Sequence, residues 1–247
     1  MDDDVWSDVA QGWSEIWAAA AAPVWGVLLR AAAVGSGTRV LDVGCGSGEL
    51  LGALRAAGAH AAGLDPAPGM LRLAARRAPG AVVLGSSDDL PFRGASFDVV
   101  TAVNALDLAD DADEVLTEVT RVLVPGGRLA LAGWAEGALN DFHAIATAVA
   151  AVAGEDPPDH GDLRREGGFE RVLAGADLAV VASGLVDVPW EPADDDALVR
   201  GALLGEDDDG LRRVGPAVIA AAEPFRTPDG GYRLLNRFRW AVARTRA

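Results

Sequence analysis

A buried strand that turns through glycines into a helix is the most constraining feature of the sequence. In residues 39–43, Val40, Leu41 and Val43 make a short apolar stretch without strict alternation, which is typical of a strand inside a parallel sheet. Gly44, Gly46 and Gly48 follow at every second position, and leucines at helical spacing come next, over residues 49–55. A strand, a glycine turn and a helix in this order bring a polar or anionic ligand onto backbone N–H groups at a helix N-terminus.

The spacing of these glycines argues against two common nucleotide sites. The dinucleotide fingerprint G-x-G-x-x-G needs a glycine where this chain has Glu49. A Walker loop needs a lysine, and all 21 basic residues of this chain are arginines. The alternative that the glycines only form a tight turn is weaker, because further motifs follow in order along the chain.

Predicted strands and helices alternate over residues 38–134, which indicates a parallel sheet with helices on both faces. In this region we predict strands at 39–43, 60–64, 81–84, 97–103 and 127–133, and helices at 47–57, 68–77 and 111–123. Elsewhere we predict helical structure over 5–33, helices at 140–152, 194–204 and 211–223, a short helix ending at 169–173, and strands at 178–188 and 231–243.

Several segments of the alternating region resemble motifs of class I S-adenosylmethionine (SAM)-dependent methyltransferases. Residues 40–48 resemble the first motif, and Asp65 closes the second strand at the position of the ribose-binding acid. Residues 85–92 resemble the adenine loop after the third strand, and residues 121–127 resemble the turn into the fifth. In this order they cover about 38–134 and resemble the ubiquinone/menaquinone-biosynthesis-like (methyltransferase type 11) branch.

The resemblance implies an α/β, Rossmann-like fold with a seven-stranded sheet in the order 3-2-1-4-5-7-6, the last strand being antiparallel. The expected division is an N-terminal helical cap at 1–37, a SAM-binding core at 38–190, a helical lid insert at 191–230 and the last core strand at 231–247.

The resemblance also implies SAM as the cofactor, bound where the parallel strands end. Asp65 is expected to accept hydrogen bonds from the ribose hydroxyls. Gly44 and Gly46 are expected to let the backbone approach the methionine portion, and Asn104 to bind its amino group. The expected cofactor-binding residues are Asp42, Gly44, Cys45, Gly46, Asp65, Pro66, Met70, Ser86, Ser87, Asp88 and Asn104.

The catalytic and substrate residues are predicted from position alone. His143 and Asp107 each follow a predicted strand and are candidates for deprotonating the acceptor, while Trp13, Trp134 and Phe225 are candidates for contacting it. A base is needed only where the acceptor must lose a proton. Relatives often have an acid where this chain has Ser86, and a histidine pair where this chain has residues 104–108. No metal site is expected.

The function expected from these residues is SAM-dependent methyl transfer to a small-molecule acceptor, with specialised metabolism as one setting. The first alternative is a protein of the same fold that binds SAM without transferring methyl, such as a cyclase-type enzyme or a binding module. The second is an NAD-dependent oxidoreductase, which Glu49 and the lack of a Tyr-x-x-x-Lys pair disfavour.

Composition sets the remaining expectations. The formal net charge of −16 disfavours nucleic-acid substrates, because phosphate backbones would be repelled. A single cysteine, Cys45, has no disulfide partner, which fits a reducing cytoplasm. The acidic start of the chain is unlike a signal peptide, and the apolar stretch at 16–29 is interrupted by Pro23 and too short to span a bilayer. We expect a cytoplasmic monomer or homodimer that acts on a small molecule, without nucleic acid or membrane.

Overall fold

The computed structural model describes residues 3–159 and 161–246, so His160 lies outside it. Its described strands are β1 (Arg39–Val43), β2 (His60–Asp65), β3 (Val82–Leu84), β4 (Phe97–Val103), β5 (Leu123–Trp134), β6 (Ala179–Asp187) and β7 (Arg237–Arg244). Its described α-helices are α1 (Asp3–Ile16), α2 (Ala22–Ala31), α3 (Glu49–Ala56), α4 (Pro68–Arg77), α5 (Ala112–Val122), α6 (Phe142–Ala153), α7 (Gly168–Gly175), α8 (Asp195–Ala202) and α9 (Asp208–Ala222).

All seven strands form one sheet in the order β3-β2-β1-β4-β5-β7-β6. Neighbouring strands from β3 to β5 are parallel, and β7 runs antiparallel to both β5 and β6. This confirms the predicted order and the antiparallel last strand. The carboxyl ends of β1, β2 and β4 therefore meet at one edge of the sheet, where ligands of such folds bind.

The sheet is covered on both faces, which explains why consecutive residues of β1 are apolar. Val40 and Leu41 point to opposite faces, and neither has any exposed surface. One face packs against α5 and α7 through residues such as Leu116 and Leu173. The other packs against α2 and α3, where Leu28 lies in the same cluster as Val40. Helices on both faces hold the strand ends of the predicted ligand edge in place.

A third apolar cluster joins the N-terminal helical segment to the late helices. Trp17, just after α1, stacks on Trp190 with ring centroids 4.4 Å apart. Its Nε1–H donates a hydrogen bond to the carbonyl oxygen of Gly201 at 2.9 Å. Leu198 of α8 and Val218 of α9 belong to the same cluster. Segments at opposite ends of the chain thus share one apolar core beside the sheet.

Two strand boundaries differ from the prediction. The last strand begins at Arg237 rather than 231, because Tyr232 and Leu234 form isolated bridges with Arg226 and Trp190 instead of pairing along β5. The fifth strand begins at Leu123, four residues earlier than predicted. Leu123 pairs with Phe97. The register then shifts, so the turn-like residues 124–127 form an irregularity inside the strand. No helix of the described residues is long and apolar enough to cross a bilayer.

Candidate active site

The glycine loop between β1 and α3 needs glycine for two physical reasons. Gly44, Gly46 and Gly48 all have φ in the left-handed region, at +69°, +52° and +90°. A Cβ atom at Gly44 would lie 2.6 Å from the Cβ of Ala105. At Gly48 it would lie 2.8 Å from the Cα of Ala74. The loop is therefore wedged between the segment after β4 and helix α4.

Asp65 fastens the end of β2 to the glycine loop. Its Oδ2 accepts a hydrogen bond from the N–H of Gly46 at 2.8 Å, and its Oδ1 accepts one from the N–H of Ala67 at 2.9 Å. An ionised carboxylate has about four lone-pair sites, so one carboxylate can accept from several donors at once. The carboxylate is held rigidly at the strand end, as a ribose-binding acid requires.

Asp42 is a buried acid at the end of β1. Its Oδ1 accepts a hydrogen bond from Thr101 Oγ1 at 2.7 Å. The pKa of Asp42 is raised to about 7, chiefly because the carboxyl is buried; the hydrogen bond from Thr101 lowers it and the nearby charge of Asp65 raises it. This carboxyl group consequently changes charge near neutral pH. Burial also raises the pKa of the Cys45 thiol, so Cys45 is not a thiolate nucleophile.

Asn104, which follows β4, combines an unusual backbone with an unsatisfied side chain. Its φ is +52°, and its N–H donates to the carbonyl oxygen of Ala132 at 2.8 Å. Its side-chain Oδ1 is buried and has no hydrogen-bond partner among the described residues. A buried acceptor without a donor is costly, so such an atom marks a place where a ligand supplies the donor.

Two adjoining cavities lie along this edge of the sheet. The smaller, of about 370 Å³, is lined by the end of β2 and the segment after β3, including Asp65, Pro66, Met70, Ser86, Ser87 and Asp88. The larger, of about 490 Å³, is lined by Asp42 and Cys45 together with helical residues. Seven residues line both and so mark the junction, namely Trp6, Trp13, Gly44, Val103, Asn104, Trp134 and Arg164.

The predicted catalytic and substrate residues divide between these cavities. His143 lines the larger cavity and Asp107 the smaller, while Trp13 and Trp134 stand at the junction. Asp107 is engaged in an ion pair with Arg164, whose Nη2 lies 3.1 Å from the Asp107 Oδ2. The structure thus brings these four predicted residues around one connected space.

Two predicted residues lie elsewhere. Neither Gly46 nor Phe225 is among the residues that line these two cavities. Gly46 acts on the site through its bond to Asp65. Phe225 packs against the apolar cluster of Trp17 and Trp190. Phe225 ends the single helical turn that directly follows α9.

Sequence reasoning missed Arg164, which lines both cavities. Arg164 belongs to a single helical turn inside a Gly/Pro/acid-rich connection, and nothing in its local sequence indicates a site. Trp6 lies in the segment 5–33 that is predicted to be helical, and the structure places it edge-on to Trp13, with ring centroids 5.3 Å apart. Among the described residues, no group of three or more His, Cys, Asp or Glu side chains is arranged to hold a metal ion.

Comparison with known proteins shows which families the chain is similar to. A family model described as a methyltransferase domain matches residues 41–131. A demethylmenaquinone methyltransferase of Renibacterium salmoninarum is 31% identical over 163 residues, 62% of this chain and 67% of that protein. One from Clavibacter sepedonicus is 40% identical over 106 residues, covering 41% of this chain and 43% of its own length. The chain thus matches less than half the length of the Clavibacter relative.

Solved structures agree on the fold. A putative methyltransferase from Bacillus halodurans superposes with a TM-score of 0.64 at 16% identity, covering 90% of this chain and 99% of that one. The cyclase SpnF superposes with a TM-score of 0.62 at 20% identity, covering 94% and 84%. Fold and glycine loop together define the Rossmann-like methyltransferase class. The chain belongs to the class I SAM-dependent methyltransferase family, in its ubiquinone/menaquinone-like branch.

Proposed function

We propose that this chain catalyses SAM-dependent methyl transfer to a small-molecule acceptor. The observation that carries the proposal is the junction of the two cavities at Gly44, Asn104 and Trp134. The smaller cavity is lined by most of the residues expected to bind the cofactor, and Asp42 and Cys45 line the larger, which also has room for a small molecule, since ligand pockets span about 300–1,000 Å³. A group held in one cavity can reach a group held in the other only at this junction.

The residues of the smaller cavity fit the cofactor. Asp65 would accept the ribose hydroxyls with its remaining lone pairs, and residues 86–88 would border the adenine. Asn104 Oδ1, buried without a donor, would accept from the amino group of the methionine portion. Asp42, with its pKa near 7, would be ionised beside that amino group at slightly alkaline pH. Met70, buried beneath Trp6 and Trp13, would give the adenine an apolar wall.

The chain contributes to the reaction mainly by holding the acceptor in line with the methyl group of SAM. SAM carries a methyl group already activated by the sulfonium, so holding the acceptor in line can supply about 7–11 kcal/mol of the barrier. Trp13 and Trp134 at the junction would fix the acceptor and exclude water. His143 is the candidate base in the acceptor cavity, whereas the carboxylate of Asp107 is already paired with Arg164. We therefore propose that His143 deprotonates the acceptor. Asp107 instead holds the guanidinium of Arg164 in place.

Calorimetry with S-adenosylhomocysteine tests the cofactor site. Removing a charge-assisted contact costs about 1.5–3 kcal/mol, so Asp65→Ala is expected to bind roughly tenfold or more weakly. Asp98→Ala is the matched control, because Asp98 pairs with Arg39 at the amino end of the strands, far from the loop. Equal affinity in wild type and a folded Asp65→Ala protein would contradict the ribose assignment.

Transfer itself is tested by mass spectrometry with SAM carrying a deuterated methyl group and a panel of metabolites. A product heavier by the labelled methyl group, formed together with S-adenosylhomocysteine, supports the proposal. Cofactor binding with no labelled product across the panel supports instead a protein that binds SAM without transferring methyl. A nicotinamide found in the purified protein would favour an oxidoreductase.

We propose a cytoplasmic small-molecule enzyme that does not bind nucleic acid and is monomeric or homodimeric. The net charge of −16 supports the exclusion of nucleic acid, and the unpaired Cys45 supports a reducing compartment. Electrophoretic mobility of labelled DNA and RNA, and light scattering of the purified protein, test these points.

A further inference from the structure

The sheet has two edges, and they differ in how well they are protected. β3 forms one edge and has three residues, whereas β6 forms the other and has nine. A very short edge strand is one of the ways in which proteins avoid pairing with another chain, while a long apolar edge strand invites such pairing. The edge at β6 is therefore the one that can accept a further strand.

The side chains of β6 are open to solvent along the whole strand. Every second residue is exposed, and the residues between them are half-buried, so no residue of this strand is fully buried. The aliphatic side chains of Val181 and Leu185 are 53% and 42% exposed. Among the described residues, β6 pairs with β7 alone, so its outer side has no strand partner.

The backbone on the outer side of β6 is open as well. Just beyond the strand, the N–H of Val188 donates to the carbonyl oxygen of Asn236, on the side of β7. The direction of the N–H and C=O groups alternates along an antiparallel strand, and the carboxyl-terminal part of β6 keeps one register with β7. Ser183, Leu185 and Asp187 therefore direct these groups toward the open edge. A second strand would satisfy all of them at once.

The devices that usually protect an edge strand are sparse on β6. Charged side chains and prolines discourage pairing, but residues 179–186 contain neither. Asp187 lies at the carboxyl end of the strand and is paired with Arg237 at 3.0 Å. A register shift lies between Val180 and Ala182, near the amino end, and the pairing is regular beyond it. At this edge, two copies of a chain with net charge −16 can meet without bringing unpaired carboxylates together.

The sequence of the edge is complementary to itself. A polar serine lies between two small residues, and two aliphatic residues follow on each side, in the order Val180-Val181-Ala182-Ser183-Gly184-Leu185-Val186. In an antiparallel pair with its two-fold axis at Ser183, small residues lie opposite small ones, and Leu185 lies opposite Val181 of the second copy. The two Asp187 side chains then lie at opposite ends of the paired strands.

We infer that this chain forms a homodimer in which the β6 strands of two copies pair antiparallel about a two-fold axis near Ser183. The pairing joins two seven-stranded sheets into one of fourteen strands. Helices α2 and α7 contact β6 from the two faces of the sheet, so they lie next to the second copy and enlarge the interface. No residue of β6 lines either cavity, so this surface is distinct from the candidate active site.

Sedimentation velocity over a range of protein concentrations tests the dimer. Wild type is expected to reach twice the mass of one chain. Leu185→Lys places a charge on the edge and should raise the dimer dissociation constant by about tenfold or more. Val152→Lys is the control, because Val152 is an equally exposed aliphatic residue, at 44%, on α6. A monomeric wild type would leave the edge to a different partner and would overturn the inference, as would Leu185→Lys dimerising like wild type.

A cysteine cross-link tests where the two copies meet. In an antiparallel pair centred on Ser183, the two Cα atoms lie about 5.5 Å apart, within the range that a disulfide spans. With diamide as the oxidant, Ser183→Cys should give a disulfide-linked dimer on non-reducing gels. Wild type, whose Cys45 is buried, and Ala151→Cys, on the exposed side of α6, are the controls and should stay unlinked. Equal cross-linking of Ser183→Cys and Ala151→Cys, or none in Ser183→Cys, would overturn the inference.

Circular dichroism melts of each variant show that it is folded. Neither experiment uses a cofactor or an acceptor, so a failure of the dimer is distinguishable from a failure of the proposed methyl transfer.

Discussion

Asp42 links the folding free energy to pH in a direction opposite to that of most acids. Its pKa rises from an ordinary 3.8 to about 7 on folding, chiefly because it is buried. As pH rises, the unfolded chain therefore loses this proton before the folded protein does. The stability contributed by protonated Asp42 is full below about pH 4 and is lost as pH rises to about 7.

Asp42→Asn should remove this pH dependence. The quantity to follow is the difference in unfolding free energy between wild type and variant. As pH rises from 4 to 7, this difference is expected to fall by up to about 1.4 kcal/mol per pH unit, and above pH 7 it should level off. Chemical denaturation at several pH values measures it, and effects of groups common to both proteins cancel. Asp98→Asn is the control of opposite sign, because the hydrogen bond from Arg39 lowers the pKa of Asp98. A pH-independent difference for Asp42→Asn would contradict this prediction.

Replacing Asn104 by glycine should preserve the stability of the ligand-free protein but weaken its binding of the cofactor. Glycine adopts the φ of +52° without strain and removes the buried oxygen that lacks a donor. We expect Asn104→Gly to leave the ligand-free protein at least as stable as wild type. Its affinity for S-adenosylhomocysteine should fall by roughly tenfold or more. Thermal melts with and without ligand test both halves, and a destabilised variant with normal affinity would show that Asn104 is purely structural.

The residue types of the site were more predictable than their environments. The glycine loop and Asp65 follow from the spacing of residues 44–65, since local spacing fixes a strand, a turn and the next strand end. The pKa of Asp42 could not be foreseen, because it depends on Thr101, 59 residues away, and on complete burial. Arg164 had no local signal at all, since only the packing of a connecting segment on β7 brings it to the junction.

Among the helices and strands, the close packing of α1 on α4 determines how the two cavities are covered. Gly69 at the start of α4 donates its N–H to Ser7 Oγ at 3.0 Å. A Cβ there would lie 2.3 Å from the backbone oxygen of Ser7. Trp6 and Trp13, which line both cavities, are carried on the same helix. The closeness of the two backbones therefore fixes where the rings of Trp6 and Trp13 lie along the two cavities.

Gly69→Ala should loosen this helix. Overpacking costs about 1–3 kcal/mol, enough to raise the undocked population of α1 about tenfold. We expect weaker S-adenosylhomocysteine binding and faster proteolytic cleavage within residues 3–16. Gly52→Ala is the control: its Cβ would meet no atom within 4 Å, and alanine favours the helix by about 0.5–1 kcal/mol. If wild type and Gly69→Ala are cleaved equally fast, α1 accommodates the added methyl group by a small shift and stays packed on α4, which would contradict this prediction.

Elements were predicted well where periodicity is regular and less well where pairing is irregular. The first, second and fourth strands match the predicted bounds to within a residue. The fifth and last strands do not, because a register shift next to Leu123 and the detached bridges of Tyr232 and Leu234 depend on distant partners. The division into cap, core and lid remains a prediction.

At the scale of the whole molecule, the cluster around Trp17 couples regions that are far apart in sequence. Replacing a large buried aromatic residue by alanine costs about 3–5 kcal/mol. We expect Trp17→Ala to raise hydrogen exchange in α1 and in α8 together, with little change in β1, β2 and β4. Trp240→Ala, on β7, is the control and should leave α1 unaffected. An increase confined to α1 would contradict the coupling.

The hydrogen bond from Trp17 to Gly201 also has a consequence for synthesis on the ribosome. The two residues are 184 positions apart. At about 5–20 residues per second, α1 emerges roughly ten seconds or more before its partner on α8 exists. During that interval, Trp17 cannot yet pack against residues of the late helices. Exposed apolar surface on a nascent chain is what chaperones bind. Helix α1 is therefore translated well before the residues that hold it in its final place.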